Sequence, residues 1–369
     1  MHPAKPVNVA RQAEPRPYAL RDASLRDTPQ DDEILYWIKK ERHPEEPAPR
    51  ASRRTHDINT DSQSPIEPAG APARTGYLAA DGFVGELAQE IEVVDFASER
   101  LLVARGPPRG AAWAQNIWLD PRELSVASIT DAVRQLRAIQ RNWVPYAPRL
   151  HRRAMLIQAQ LPVVSAKPLV FGTPAPAAPL GSWTLLDANT VLASPRCTSA
   201  FPNGELRFVE DHAGPPSRAY LKLWEALTLI GRRPGPGEVC LDLGSSPGGW
   251  SWALARMGAR VISVDRAPLA PEIASLPGIE QRRESAFGLD PTSVGPVDWL
   301  FSDVVCYPAR LLSLVERWLA SGTCRRFVCT IKFQGETDHA IAARFAAIPG
   351  STLRHLYHNK HELTWIKLD

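Results

Sequence analysis

Between Val239 and Trp250 an apolar run delivers an acid, Asp242, and then a glycine, Gly244. The chain continues through Ser245, Ser246, Pro247, Gly248 and Gly249 into a segment that reads as a helix over 251–257, closed by Gly258. A second apolar run over 260–264 ends on Asp265. This is the pattern of one βαβ unit with a glycine loop at its first turn and an acid at the tip of its second strand. Glycines there let a ligand approach the backbone, and the second-strand acid can accept hydrogen bonds from ribose hydroxyls. The Gly-x-Gly-x-x-Gly spacing that cradles a dinucleotide pyrophosphate is absent. The Asp-x-Gly form fits a ligand made of a ribose and an amino-acid tail, and S-adenosylmethionine is the ligand expected. The bland alternative is an ordinary turn with structural glycines.

Other charged residues fall where chemistry could use them. In open α/β sheets ligands bind beyond the carboxyl ends of the strands, and Asp265, Asp303 and Lys332 all fall at such ends. Lys332 closes the apolar run Val328-Cys329-Thr330-Ile331, an odd place for a long cation unless it faces a cleft. Its plainer reading is a lysine solvating a strand end. Glu362 opens the final strand and by itself reads as a surface acid. Lys222 sits in a predicted helix over 218–230 that Ser217 can N-cap. On a helical wheel Tyr220, Leu223, Trp224 and Leu227 share one face while Lys222 points away, so alone it reads as a solvated lysine.

The elements that must position these groups alternate helix and strand. After the βαβ unit come a strand over 297–302, a helix over 308–320, a strand over 326–333 and a helix over 340–347. Two closing strands follow, over 352–357 and 362–367. That order predicts a doubly wound, mostly parallel sheet with a terminal antiparallel strand, spanning 214–369. Upstream, residues 75–213 read as a small α+β domain. Strands are expected over 77–80, 92–96, 101–104, 154–160 and 184–192, with helices over 85–91 and 129–143. Residues 1–74 hold 11 of the 35 prolines and read as a disordered tail with one short helix-like patch at 31–40.

The glycine loop, taken with Lys222, Asp303, Lys332 and Glu362, resembles the cofactor loop and Lys-Asp-Lys-Glu tetrad of FtsJ-type ribose 2′-O-methyltransferases. Within that group the chain is similar to the ribosomal RNA large subunit methyltransferase M family. Gly214-Pro215-Pro216-Ser217-Arg218-Ala219-Tyr220-Leu221-Lys222-Leu223 looks like that family's Ala-Pro-Ser-Arg-Ser-x-Leu-Lys-Leu segment. Asp303-Val304-Val305, Pro308-Ala309-Arg310, the run 318–325 and Leu356-Tyr357-His358 leading to Glu362-Leu363-Thr364 also follow it. The likeness covers 214–369 and is weaker over 76–213, a region shorter than the family's THUMP-like part.

The resemblance implies a Rossmann-like class I methyltransferase fold and S-adenosylmethionine as cofactor. Its contacts would be Asp242, Gly244, Ser245, Pro247, Gly248, Gly249, Trp250, Asp265, Glu284 and Asp303. The implied substrate is a cytidine of 23S ribosomal RNA. One departure stands out: the family's Glu-Asp-Gly-Phe reads Glu284-Ser285-Ala286-Phe287 here, so its adenine-contacting Asp has no counterpart.

The chemistry of such a transfer sets its own demands. A hydroxyl must be held at attack distance and lose its proton, and positioning does much of that work. A lysine is a poor base until tuned, since at a reference pKa of ~10.4 only about one molecule in a thousand is neutral near physiological pH, a penalty of roughly 4 kcal/mol. Four groups meet the demand: Lys332 as base, Lys222 as the neighbouring ammonium that eases deprotonation and holds the ribose, and Asp303 with Glu362 fixing their geometry. No metal is required, and the sequence offers no metal-ligand cluster.

Composition narrows the class without naming a partner. A formal net charge of +3 over 369 residues does not by itself announce a nucleic-acid protein. The best basic-aromatic patch combines Arg134, Arg137, Arg141, Arg149, Arg152 and Arg153 with Trp143 and Tyr146, and a solvated helix face explains it equally well. Of five cysteines, Cys240, Cys306, Cys324 and Cys329 lie in or near apolar elements, and all five, Cys197 included, lack metal-like pairing; free thiols of a reducing compartment are expected. No run approaches the ~18 apolar residues of a membrane span, so the cytoplasm is the expected location. The expected partner is RNA. Two alternatives stand beside this reading: a catalytically silent RNA-binding module of the same fold, and a methyltransferase for an RNA cap or small molecule.

Overall fold

The computed structural model describes residues 73–91 and 94–369. The expected tail up to residue 72, its helix-like patch at 31–40 and residues 92–93 of an expected strand lie outside the described residues.

A first antiparallel sheet takes strands β1 (Arg74–Ala79), β2 (Phe96–Ser98), β3 (Leu101–Arg105) and β4 (Ala114–Trp118) in the order β2-β3-β1-β4. Helix α1 (Val84–Ile91) buries Leu87 and Ile91. A second sheet takes β5 (Arg122–Ser125), β6 (Trp143–Pro145), β7 (Gly181–Asp187) and β8 (Thr190–Ser194) in the order β5-β8-β7-β6. It is accompanied by α2 (Ile129–Ile139) and α3 (His151–Gln158).

Three sequence expectations change here. The strand over 154–160 is instead helix α3, which buries Ala154 and Ile157, three apart on one helical face, and leaves Leu156 on the surface. The helix expected to reach 143 ends at Ile139, and Trp143 belongs to β6 with its indole Nε1 donating back to the carbonyl of Leu136 at 2.9 Å. The strand over 184–192 is two strands, β7 and β8, paired as a hairpin.

The C-terminal region runs α4 (Tyr220–Ile230), β9 (Val239–Leu243), α5 (Gly249–Arg256), β10 (Arg260–Val264), α6 (Pro271–Ala274), β11 (Ile279–Arg282), α7 (Pro291–Val294) and β12 (Val297–Ser302). Then follow α8 (Pro308–Ser321), β13 (Cys324–Lys332), α9 (His339–Ala346), β14 (Ser351–Arg354) and β15 (Glu362–Lys367). Its seven strands order as β11-β10-β9-β12-β13-β15-β14, with β15 inserted antiparallel between β13 and β14. This is the doubly wound, mostly parallel sheet with an antiparallel strand near its end that the alternation predicts. The central strands are apolar on both faces because helices cover both: Leu241, Leu243, Leu300 and Ile331 belong to one cluster, and Cys240, Val261, Phe301 and Val328 to the other. Helix α8 shows the expected end signals, with Pro308 in its first turn and Gly322 closing it at φ 66°.

The first sheet is not a free appendage. Tyr77, Leu87, Leu102 and Trp113 join the same apolar cluster as Phe333 and Leu363 of the C-terminal region. The backbone N–H of His355 donates to the carbonyl of Ala112 at 2.6 Å. The carboxylate of Glu90 accepts from the N–H groups of Ala112 (2.6 Å) and Trp113 (3.0 Å), tying α1 to that junction.

Candidate active site

Helix α4 delivers Lys222 from an unexpected setting. Every residue from Tyr220 to Leu227 is buried, so there is no solvated face for Lys222 to occupy. Ser217 does not cap this helix with its side chain; the helix starts after Ala219, and the Ser217 hydroxyl packs against Gly249. The Lys222 ammonium lies 2.9 Å and 3.1 Å from the two carboxylate oxygens of Asp303 and 3.0 Å from Oε1 of Glu362. Burial works against the charge, but Asp303 and Glu362 outweigh it and hold Lys222 above the usual lysine range. Glu362, read alone as a surface acid, is likewise buried.

Asp303 follows β12, where its N–H donates to the carbonyl of Leu243 on the adjacent strand. Lys332 ends β13 directly across the antiparallel register from Glu362. Its Nζ donates to the backbone carbonyl of Asp303 at 2.6 Å and lies 3.2 Å from Asp303 Oδ1. At 19% side-chain exposure it is the most open member of a cluster whose other side chains are 8–15% exposed. The structure therefore brings Lys222, Asp303, Lys332 and Glu362 into one ion-paired group at the carboxyl end of the sheet.

A neighbouring cleft of about 210 Å³ is lined by Gly244, Asp265, Glu284, Phe287, Val304 and Arg310 among others. It shares the segment after β12 with the tetrad. Asp265 accepts from the N–H of Ser246 (Oδ2, 3.2 Å) and of Ala267 (Oδ1, 2.9 Å), so each oxygen keeps acceptor capacity for a further donor. Gly244 has φ +77°, and a Cβ there would lie 2.6 Å from Val304 Cα, so the close packing of the two strand ends already demands glycine.

The other loop residues lie beneath or behind the cleft rather than along it. Ser245 is buried with its hydroxyl unpartnered among the described residues. Pro247 is exposed, and Gly248 abuts Ile273. Trp250 is buried, its Nε1 donating to the carbonyl of Ala219. Asp242 is buried under the loop, where desolvation pushes its carboxyl up to about 7 against the pull of the Ser251 hydroxyl, 2.6 Å away.

Several residues at the site escape sequence reading. Glu225, fully buried one turn beyond Lys222, accepts from the N–H groups of Tyr357 (2.7 Å) and His358 (3.0 Å). Burial pushes its carboxyl up to about 8, opposed by those two donors. An acid inside an apolar helix was the available signal. Trp113 packs against Phe333 and His361, the neighbours of Lys332 and Glu362. Arg310 lies with its guanidinium 3.9 Å from the centre of the Phe287 ring.

The basic-aromatic patch loses its aromatic half, since Trp143 and Tyr146 are buried. Arg134 is paired with Asp131, and Arg149 donates to Ser98. Among the described residues no group of His, Cys, Asp and Glu is arranged to hold a metal ion, and no helix is long and apolar enough to cross a membrane. A roomier cleft of about 780 Å³ lies against Trp224, Arg233 and Trp252 and contains none of the tetrad.

Comparison with known proteins bears directly on this arrangement. Residues 215–335 match the profile of the FtsJ-like methyltransferase family. This segment is similar to FtsJ-like methyltransferases. The match contains Lys222, the glycine loop, Asp265, Asp303 and Lys332 and stops short of Glu362. Curated relatives include a ribosomal RNA large subunit methyltransferase M from Halorhodospira halophila, 37% identical over 157 residues that cover 40% of this chain and 46% of the relative. Its counterparts from Azotobacter vinelandii and Aromatoleum aromaticum are 35% identical over 193 residues and 34% over 190 residues. Each covers 47% of this chain, and 53% and 50% of the respective relative. The chain thus spans about half the length of the curated relatives it matches. The resemblance expected from the tetrad and the glycine loop is found.

Proposed function

We propose that this chain is an S-adenosylmethionine-dependent RNA ribose 2′-O-methyltransferase. The observation that carries the reading is the closure of Lys222, Asp303, Lys332 and Glu362 into one cluster beside a cleft holding Asp265 and Glu284. S-adenosylmethionine would supply an electrophilic methyl group. The residues present fit it: Asp265 retains acceptor capacity for ribose hydroxyls, Glu284 adds a second acceptor, and the unpartnered Ser245 hydroxyl lies in the loop. Asp242, Pro247, Gly248, Gly249 and Trp250 would act by shaping that loop.

The two lysines divide the work. Lys222, clamped by two carboxylates, stays an ammonium and holds the two acids in place. Lys332 can be the base on a count of valences. Once deprotonated, its amine has two N–H groups and one lone pair; one N–H donates to the carbonyl of Asp303, and Asp303 Oδ1 lies 3.2 Å away as its ion-pair partner. The lone pair is then left to take the proton of a hydroxyl held at the cluster, a step typically contributing ~10²–10⁴-fold.

The relatives' names support large-subunit ribosomal RNA as substrate, and a cytidine of 23S ribosomal RNA is the nucleotide implied by the resemblance. Residues 214–369 would form the catalytic part and 75–213 the part that engages RNA. Mapping ribose methylation in ribosomal RNA from cells with and without the gene tests the reading. One 2′-O-methyl that disappears with the gene supports it, and an unchanged map contradicts it.

A further inference from the structure

Next to the tetrad lies a second cleft, of about 430 Å³, walled by three separate parts of the chain. Arg100 comes from the first sheet, Arg207 from the segment leading to α4, and Tyr357 and Asn359 from the turn between β14 and β15. The methyl-transfer reading uses none of them.

That turn runs directly into the tetrad. Asn359 Nδ2 donates to the carbonyl of Glu362 at 3.1 Å, and the N–H of Lys360 reaches Glu362 Oε1 at 3.3 Å. The turn is also fixed from behind, since Glu225 holds the backbone of Tyr357 and His358, and His355 Nε2 meets the carbonyl of Lys360 at 2.9 Å. Tyr357 is half-buried and lines the cleft. The Arg207 guanidinium lies 5.9 Å from the centre of the Tyr357 ring and pairs with Glu205 at 2.9 Å. Arg100 lies 3.9 Å from Asp81, an acid whose side chain is almost fully exposed. Surface pairs of this kind contribute little, so a phosphate can replace either acid at small cost. A cleft that presents an aromatic face and two guanidinium groups has the chemistry to receive an unstacked base and its phosphates.

We infer that the cleft formed by Tyr357, Arg207 and Arg100 binds a single-stranded RNA nucleotide adjacent to the one whose ribose reaches Lys332. The inference rests on the RNA methyltransferase reading and extends it to a site that positions the strand. It also gives the first sheet a role, because Arg100 can enter this cleft only when that sheet is docked.

The full-length chain carrying Tyr357→Ala, Tyr357→Phe or Arg207→Glu tests the inference. Affinity for a single-stranded RNA oligonucleotide is read by fluorescence anisotropy, and affinity for S-adenosylmethionine by calorimetry. Tyr357→Ala should weaken RNA binding about tenfold or more, and Tyr357→Phe should restore it. Arg207→Glu should weaken binding and flatten its salt dependence. Cofactor affinity should remain that of the wild type in all three. Wild-type RNA affinity in both Tyr357→Ala and Arg207→Glu would overturn the site. A wild-type protein that binds RNA with these sensitivities but methylates none overturns the functional reading alone, and one that binds no RNA overturns both.

Discussion

Lys222 and Lys332 have the same side chain and opposite situations. Lys222 neutralises two buried carboxylates, so Lys222→Met leaves Asp303 and Glu362 close together with only Lys332 to compensate one of them. Breaking a buried pair from one side costs roughly 3–5 kcal/mol, and urea unfolding should show a loss of that order; unchanged stability would contradict the ion-pair account. The glycine loop separates two effects in the same way. Gly244→Ala forces a Cβ against Val304 at a positive φ, so it should lower both the melting temperature and cofactor affinity. Asp265→Ala should lower cofactor affinity much more than the melting temperature, and calorimetry alongside thermal melting tells the two apart. The identities of these residues were legible in the sequence through the spaced motifs, but their environments were not. A helical wheel placed Lys222 in solvent because it assumes one wet face, and α4 has none along its first two turns. Glu362 looked like a surface acid because nothing in its neighbourhood in the chain announces Lys222, 140 positions earlier.

At the scale of elements, α4 links the parts of the site: it carries Lys222 and, one turn on, Glu225, which holds the turn leading to Glu362. The Glu225 carboxyl is pushed from 4.5 up to about 8, so the folded state binds its proton more tightly than the unfolded state. The stability this contributes is fully present below pH about 4.5 and is lost as pH rises through about 8. Glu225→Gln should therefore flatten the decline in unfolding free energy across that window, measured by urea unfolding at successive pH values. A variant that declines as steeply as the wild type would remove Glu225 as the source. The sheet of the C-terminal region was readable because each central strand is a short apolar run bounded by turn residues and separated by a helical pattern. The second sheet was not: α3 presents an uninterrupted apolar stretch, Ala154-Met155-Leu156-Ile157, that periodicity alone cannot assign to helix or strand. Trp143 looked like the end of a helix because the polar residues before it, Gln140 to Asn142, carry no glycine or proline to mark the stop.

At the scale of the molecule, the first sheet and the seven-stranded sheet share one apolar cluster, which sequence reading of two successive domains did not convey. Tyr77, Leu102 and Trp113 are buried against the C-terminal region, and Trp113 backs the neighbours of Lys332 and Glu362. A fragment beginning at residue 214 should accordingly melt well below the full-length chain and bind cofactor poorly; a fragment with full-length stability would show the shared core to be dispensable. The central claim, that Lys332 takes the proton of a ribose hydroxyl, is tested most directly by single-turnover methylation of large-subunit ribosomal RNA with wild type, Lys332→Met and Lys332→Arg. The product is digested to nucleosides to locate the methyl group. The account predicts a ribose 2′-O-methyl formed by the wild type and a rate at least ~10²-fold lower in Lys332→Met. Lys332→Arg should rescue poorly because its guanidinium stays protonated, while cofactor affinity holds in both variants. A methyl group on a base, or a Lys332→Met protein that methylates ribose at a near-normal rate, would contradict it.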